Sequence, residues 1–152
     1  MTSRMRYCLD TNVFIEPWVR LYPRDIFPSF WMALSELAHT DLAIAPTQVL
    51  EEIERQDDEL RKWVGEHGNL FVPMDEAMDK SMNHLMAHYP RLVNMGLQPV
   101  GADPFVIALG HSRAPATVVS LEAQKKKKNR PKIPSVCYEL GVECIDLLEL
   151  MR

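Results

Sequence analysis

Short, wholly apolar segments alternate along the chain with longer segments of helical periodicity, and this alternation restricts the fold more than any other feature. The runs YCL, LAIA and TVV each stop at a polar residue or a proline, and VECI is a similar run near the carboxyl end. Strands that are apolar on both faces are typical of parallel sheets covered by helices on each side. We therefore expect a three-layer α/β/α fold with a central parallel sheet.

The helices are predicted from the spacing of apolar residues and from helix-opening residues. One is expected to begin near Asp25, one to run from Thr47 to Val64, one to open at Asp75, and one to open at Asp103 followed by Pro104. Each should turn an apolar stripe toward the sheet. On the helix near Asp25 and the helix that opens at Asp75, the residues predicted to be buried are Ile26, Phe27, Phe30, Trp31, Leu34, Leu37, Ala38, Met78, Met82, Leu85 and Met86.

The bulk properties indicate a globular protein outside the membrane. A chain of 152 residues corresponds to about one domain, so we expect a single domain over residues 1–152. The segment FVIALG is much too short to cross a bilayer, and no secretory signal is visible. We expect a cytoplasmic location and no membrane partner. The widely spaced Cys8, Cys137 and Cys144 have apolar neighbours, which favours reduced thiols in the core.

Acidic residues follow two of the predicted strands. Asp10 comes directly after YCL, and Glu122 comes just after VVSL. Ligands of parallel α/β sheets bind beyond the carboxyl ends of the strands, so these positions are candidates for a site. Asp103 opens a helix and can lie nearby. Each acid also has a simpler interpretation, because Asp10 and Asp103 can cap helices and Glu52 and Glu122 can be solvated.

Helical geometry selects one glutamate from the segment after LAIAP. At about 100° per residue, Glu52 lies about 60° from the buried position Val49, whereas Glu51 lies about 160° away. Glu54 flanks the opposite side of the apolar stripe. Glu52 is therefore the acid predicted to reach inward toward Asp10.

The segments LDTNVFI, PTQVLEEIER, GADPFVIALG and VVSLE, in this order and spacing, resemble the PIN domain, the small nuclease fold of many VapC-like toxins. The resemblance extends from Met5 to about Leu148. It implies a metal-dependent endoribonuclease that cleaves RNA, that acts as the toxin of a toxin–antitoxin pair with a cognate antitoxin, and that forms a homo-oligomer.

The resemblance also implies roles for individual residues. Asp10, Glu52 and Asp103 match the family's acids and would be catalytic metal ligands for Mg²⁺ or Mn²⁺. Glu122 stands where the family often has the aspartate of a V-T-x-D pattern, with Ser120 at the threonine position. Glu122 would then be an auxiliary catalytic acid and Ser120 an auxiliary site residue. The longer side chain of Glu122 leaves open whether it ligates metal directly.

The residue chemistry supports the same reaction without the family. Hydrolysis of a phosphodiester requires an activated water and a cation that neutralises developing negative charge, and clustered carboxylates bind hard cations such as Mg²⁺ or Mn²⁺. Thr11 and Asn12 would hold Asp10 or a bound water in place as auxiliary residues. Two alternatives are a catalytically inactive PIN-like module that binds RNA or protein, and a DNA-directed nuclease of related fold.

A dense basic segment follows Glu122. KKKKNRPK holds six of the 17 basic residues, so the rest of the chain has 11 basic against 21 acidic residues. A solvated loop is the simpler interpretation, but a basic segment beside an acidic pocket can attract phosphates. The residues predicted to contact RNA are Lys125, Lys126, Lys127, Lys128 and Arg130.

Two histidines have the spacing of a zinc-binding pair but lack the rest of the motif. His84 and His88 are four residues apart, as zinc ligands on a helix can be, but the glutamate of an H-E-x-x-H motif is missing. The sequence identifies no third ligand. Zinc binding is therefore not predicted from the sequence.

Overall fold

The computed structural model describes residues 6–55, 58–89, 102–113, 115–121 and 133–151. Five parallel strands form a sheet in the order β3-β2-β1-β4-β5. The strands are β1 (Arg6–Leu9), β2 (Ala43–Pro46), β3 (Phe71–Val72), β4 (Ala116–Val119) and β5 (Glu143–Ile145). The α-helices are α1 (Asn12–Glu16), α2 (Pro28–His39), α3 (Thr47–Glu54), α4 (Asp58–Gly65), α5 (Glu76–His88), α6 (Asp103–Ser112), α7 (Ile133–Leu140) and α8 (Leu147–Met151). Within these ranges, no helix is long and apolar enough to cross a membrane.

The strand order determines the layers. The chain moves outward from β1 to β2 and β3, returns past β1 to β4, and continues outward to β5. Crossovers between parallel strands are right-handed, so connections that run in opposite directions cover opposite faces of the sheet. The helices α1 to α4 therefore cover one face and α5 to α7 the other. This confirms the predicted three-layer α/β/α fold.

The chain adds strands on one side of β1 first and on the other side later, so its direction across the sheet reverses between the neighbouring strands β1 and β4. Their register pairs Leu9 with Val119. The next residues, Asp10 and Ser120, consequently leave the sheet side by side. In open α/β sheets, ligands bind in the crevice that opens at such a reversal.

Helix α6 lies directly on the centre of the sheet and packs against both β1 and α5. Gly110 makes this close approach possible. A Cβ atom at that position would lie 2.7 Å from Cγ2 of Val118 and 3.9 Å from Cβ of Cys8. A glycine lets the helix backbone approach a strand where no side chain would fit. The position of α6, and with it that of Asp103, therefore depends on a packed contact with β4.

The predicted core of α2 and α5 is confirmed except at Ile26, Phe27 and Met86, which are exposed, and at Leu37, which is only half-buried. Helix α2 begins at Pro28 rather than near Asp25, so Ile26 and Phe27 precede it and are 65% and 42% exposed. Met86 is 54% exposed, because α5 buries a narrower stripe than its methionine spacing predicts. The other core residues predicted on these two helices are buried.

The helix predicted from Thr47 to Val64 is two helices. Helix α3 ends at Glu54 and α4 begins at Asp58, with residues 56–57 outside the described part. The predicted apolar stripe nevertheless continues across the break, since Val49, Ile53 and Leu60 are all buried. The orientation of α3 was thus predictable, although the continuity of the helix was not.

The segment directly after Asp10 was not predicted to be helical. Helix α1 passes into a π-helical turn over Pro17–Leu21, in which the Tyr22 N–H donates to the carbonyl of Pro17 at 2.8 Å. The ring of Trp18 in this turn contacts that of Trp31 on α2, with centroids 4.9 Å apart. These contacts join the segment after β1 to the helical layer, which fixes the direction in which the chain leaves Asp10.

Candidate active site

Asp10 is a buried carboxylate at the end of β1, only 3% exposed. The Thr11 N–H donates to its Oδ1 at 2.8 Å, and the Ser120 hydroxyl donates to its Oδ2 at 3.0 Å. A buried charge is tolerated when such donors replace water. The residue at the capping position of α1 is Thr11, not Asp10. The structure therefore supports a positioned site carboxylate over a helix cap.

The two polar residues after Asp10 differ in their surroundings. Asn12 Oδ1 accepts a hydrogen bond from the Leu121 N–H at 3.2 Å, which ties the start of α1 to the segment leaving β4. The Oγ1 atom of Thr11 is buried and has no hydrogen-bond partner within the described ranges. Buried hydroxyls normally have a partner, so this atom is suited to a bound water or ligand.

Glu52 points inward, as the helical geometry predicts. It is half-buried, whereas Glu51 and Glu54 on the same helix are exposed. Its Oε1 accepts a hydrogen bond of 2.6 Å from the N–H of Ala102, the residue before α6. Glu52 thus lies at the amino end of the helix that begins with Asp103.

Asp103 is the first residue of α6, and the capping position belongs to Ala102, which makes no side-chain cap. The interpretation of Asp103 as a helix cap is therefore not supported. Only a short connection separates Ser112, the end of α6, from Ala116, the start of β4, so helix and strand run in opposite directions. The amino end of α6 consequently lies at the end of the sheet where the carboxyl termini of β1 and β2 are found.

We refer to Asp10, Glu52 and Asp103 together as the acid edge. Strand direction and the Glu52–Ala102 hydrogen bond bring all three to one side of the sheet. Glu122, Lys125, Lys126, Lys127, Lys128 and Arg130 lie outside the described residues. Their predicted roles stay predictions.

The acid edge fits a hard cation in its chemistry. Its donors are carboxylate oxygens, and the unpartnered Thr11 Oγ1 adds another oxygen at the end of β1. Among the residues that the structure describes, however, no three histidine, cysteine, aspartate or glutamate side chains are grouped so as to hold a metal ion. Ligation of Mg²⁺ or Mn²⁺ by the acid edge therefore stays a prediction.

The thiol behind the acid edge is chemically inert. Burial raises the pKa of Cys8 well above its ordinary value, and the negative charge of Asp10 raises it further. The pKa of Cys137 is likewise raised, first by its hydrogen bond with Cys144 and then by burial. All three cysteines are free, as predicted. A protonated thiol is a poor nucleophile and a poor metal ligand, so we assign Cys8 no role in the chemistry of the acid edge.

Three comparisons place the chain among known proteins. The sequence model of one family, described as "Domain of unknown function (DUF4411)", matches residues 7–152. No curated protein matches the sequence. Among solved structures, the chain is similar to one described as "Crystal structure of VapBC2 from Rickettsia felis bound to a DNA fragment from their promoter". The TM-score is 0.57 and the sequence identity is 15%, and the match covers 93% of this chain and 98% of that chain. At this identity the likeness shows the fold alone, and the fold is VapC-like.

Proposed function

Because the chain belongs to the family described as domain of unknown function DUF4411, whose description gives no activity, we propose a function from the acid edge: a divalent-metal-dependent endoribonuclease. The observation that carries the proposal is the placement of Glu52 and Asp103. Glu52 accepts a 2.6 Å hydrogen bond from the N–H of Ala102, the residue before Asp103, at the end of the sheet where the buried Asp10 also lies. Carboxylates gathered at the reversal point of a parallel sheet are suited to a cation and a phosphate ligand.

The residues of the acid edge would divide the work of phosphodiester hydrolysis. Asp10, Glu52 and Asp103 would hold Mg²⁺ or Mn²⁺, which supplies charge neutralisation and an acidic bound water. Thr11 would orient that water through its buried Oγ1, and Ser120 would keep Asp10 in position through their 3.0 Å hydrogen bond. Glu122 would act as the auxiliary acid.

The basic segment would supply affinity for RNA. The acid edge by itself repels phosphates, and Lys125, Lys126, Lys127, Lys128 and Arg130 follow soon after Ser120 in the sequence. Basic side chains near a catalytic pocket attract the RNA backbone without selecting a sequence. We assign these residues to RNA binding and not to the chemical step.

We further propose that the protein is the toxin of a toxin–antitoxin pair and that it forms homo-oligomers. The supporting observation is that four large apolar side chains are exposed from the π-helical turn to the first turns of α2: Val19, Ile26, Phe27 and Met32. Exposed apolar groups of this kind are typical of protein-binding surfaces. An antitoxin segment with an apolar face would cover them. The VapBC2 structure, which has a similar fold, contains a fragment of the promoter DNA of VapBC2 itself.

The competing function is a PIN-like module that binds RNA or protein without cutting it. The matched pair Glu52→Gln and Glu51→Gln separates the two. Both substitutions remove one charge from α3, but Glu52 is half-buried at the acid edge and Glu51 is exposed. Purified wild type and both variants would be incubated with single-stranded and structured RNAs, and with DNA of the same sequences, in Mg²⁺, in Mn²⁺ and in chelator.

We expect wild type and Glu51→Gln to cleave RNA in either metal, and chelator to abolish the cleavage. Glu52→Gln should be slower by roughly 100-fold or more, since it removes a charged group from the metal site. Cleavage that survives chelator, or equal rates for the two variants, would contradict the proposal. Wild type that binds RNA but never cleaves it would favour the inactive module, and preferential cleavage of DNA would favour the related DNA nuclease.

A further inference from the structure

Three histidines meet on the face formed by α5 and α6. His84 and His88 follow one another on α5, with ring centroids 4.2 Å apart and planes nearly perpendicular. His111, in the last turn of α6, stacks toward His84 with centroids 6.2 Å apart. The third histidine that the sequence could not identify is therefore supplied by a different helix. We refer to His84, His88 and His111 as the histidine cluster.

The ring of His111 is already held in place. The Ser81 hydroxyl contacts its Nδ1 at 2.9 Å, which directs the opposite nitrogen, Nε2, away from Ser81. Metal-binding histidines commonly use one ring nitrogen for the metal and the other for an orienting hydrogen bond. His84 and His88 are exposed, and His111 is half-buried, so a cation can reach the cluster from solvent.

The histidine cluster is separate from the acid edge. Asp103 begins α6 and His111 lies in its last turn, which places them about 12 Å apart along the helix axis at roughly 1.5 Å per residue. The donors also differ, since one end presents carboxylate oxygens and the other imidazole nitrogens. A metal bound at one end is thus not the metal bound at the other.

We propose that the histidine cluster is a binding site for a transition-metal cation, with Zn²⁺ as the best match, that clamps α5 to α6. Two imidazoles on one Zn²⁺ have ring centroids about 5 Å apart, given Zn–N distances of about 2.1 Å. The two measured separations, 4.2 and 6.2 Å, lie on either side of this value. The three rings do not enclose a ligand position as they stand in the described structure.

The proposal requires changes of side-chain rotamer that bring the three rings to a common point. His84 and His88 are exposed and one helical turn apart, so they change rotamer without disturbing the core. Three imidazoles leave a fourth tetrahedral position for water. Nitrogen donors favour Zn²⁺, Ni²⁺ or Co²⁺ over Mg²⁺, which prefers oxygen. The acid edge and the histidine cluster therefore select different cations.

The test uses the full chain without a polyhistidine tag, because a tag would bind the same metals. Thermal melting and calorimetric titration would be run with Zn²⁺ and, separately, with Mg²⁺. The variants are His84→Ala and His111→Ala, one from each helix, and the matched control is His39→Ala, an exposed histidine on α2. Melting without added metal establishes that each variant is folded, and the Co²⁺ absorption spectrum reports tetrahedral nitrogen coordination.

We expect one Zn²⁺ per chain and a rise in Tm of about 5 to 10 °C at Zn²⁺ about 100-fold above its Kd. His84→Ala and His111→Ala should each weaken Zn²⁺ binding at least about 10-fold. His39→Ala should bind as wild type does. Equal Zn²⁺ affinity in wild type and in both cluster variants would overturn the site, and so would a wild type that binds no Zn²⁺.

The acid edge must be excluded as the source of the Zn²⁺ response. The variant Glu52→Gln, measured in the same titration, should keep the full Zn²⁺ affinity of wild type. Loss of the Zn²⁺ response in Glu52→Gln but not in His84→Ala would move the metal to the acid edge and refute the histidine site. This outcome is independent of RNA cleavage, so the two proposals fail separately.

Discussion

The two ends of α6 differ in what positions their polar side chains. At the amino end, backbone groups hold the acids, since the Thr11 N–H donates to Asp10 and the Ala102 N–H donates to Glu52. At the carboxyl end, the Ser81 hydroxyl contacts His111, while His84 and His88 are exposed on α5. Backbone donors are fixed by the fold, whereas exposed side chains change rotamer readily. The backbone therefore holds Asp10 and Glu52 in place, whereas the histidine cluster is adjustable.

This difference shows how one helix can serve two kinds of chemistry. Catalytic groups need a fixed geometry before the substrate arrives, and backbone donors such as those to Asp10 and Glu52 suit this proposed role. A structural cation can instead assemble its own ligands, because its binding energy orders the side chains. The comparison predicts that changes at one end of α6 have little effect on the other.

The largest expected effects come from replacing two serines, one at each end of α6. Ser120 donates to Asp10 at 3.0 Å, and Ser81 contacts His111 at 2.9 Å. We expect Ser120→Ala to slow RNA cleavage roughly 10- to 100-fold with unchanged Zn²⁺ affinity, because removing a group that orients a metal ligand has effects of this size. Ser81→Ala should weaken Zn²⁺ binding and leave cleavage unchanged. The RNA cleavage rate and the Zn²⁺ affinity would be measured for both variants. If each variant lost both cleavage and Zn²⁺ binding, the two ends of α6 would act as one unit.

The next largest expected effect is on the free energy of unfolding and concerns the close contact between α6 and β4. Gly110→Ala places a Cβ atom 2.7 Å from Val118 Cγ2, so the free energy of unfolding should fall by about 1 to 3 kcal/mol. Gly65→Ala is the control, because no atom lies within 4 Å of a Cβ there. The control should be neutral or stabilise by about 0.4 to 1 kcal/mol. Urea unfolding measures both, and equal stability of the two variants would contradict the packing of α6.

The smallest expected effect concerns the ion pair between Arg113, just after α6, and Asp75, the capping residue of α5. The hydrogen bond from Arg113 holds the pKa of Asp75 below its ordinary value, and the Met78 N–H contributes. A carboxyl whose pKa is lowered by folding stabilises the protein above its unfolded pKa and loses that contribution as the pH falls through the folded pKa.

Stability should therefore decline as the pH falls below about 4. Asp75→Asn keeps a capping side chain but loses the charge, so its stability should change less with pH over this window. The effect is small because Asp75 is exposed to solvent. Urea unfolding of both proteins at several acidic pH values measures it. Identical pH dependence in wild type and Asp75→Asn would show that the ion pair does not hold α5 to α6.

The acid edge was predictable because its signals are local. A strand that stops at Asp10 and a helix spacing that turns Glu52 inward can both be read from a few residues. The family resemblance marks Ser120 as an auxiliary residue, but its hydrogen bond with Asp10 was not predictable from local sequence. The Ser120 hydroxyl reaches Asp10 only because the register pairs Leu9 with Val119, and register depends on the assembled sheet.

The histidine cluster shows the same limit. The spacing of His84 and His88 is visible in the sequence, but the approach of His111 depends on how α6 packs against α5. The helix after Asp10 escaped prediction altogether. The break between α3 and α4 also escaped it, because the apolar pattern continues across that break. Periodicity indicates which face is buried, and tertiary packing decides where a helix ends.

The most direct test of the acid edge is an anomalous difference map from crystals of the tag-free protein soaked in Mn²⁺. The account predicts a peak bound by the carboxylates of Asp10, Glu52 and Asp103 at the ends of β1 and β2. A map with no peak at the acid edge under saturating Mn²⁺ would contradict the central claim that these three carboxylates form the metal site of a nuclease.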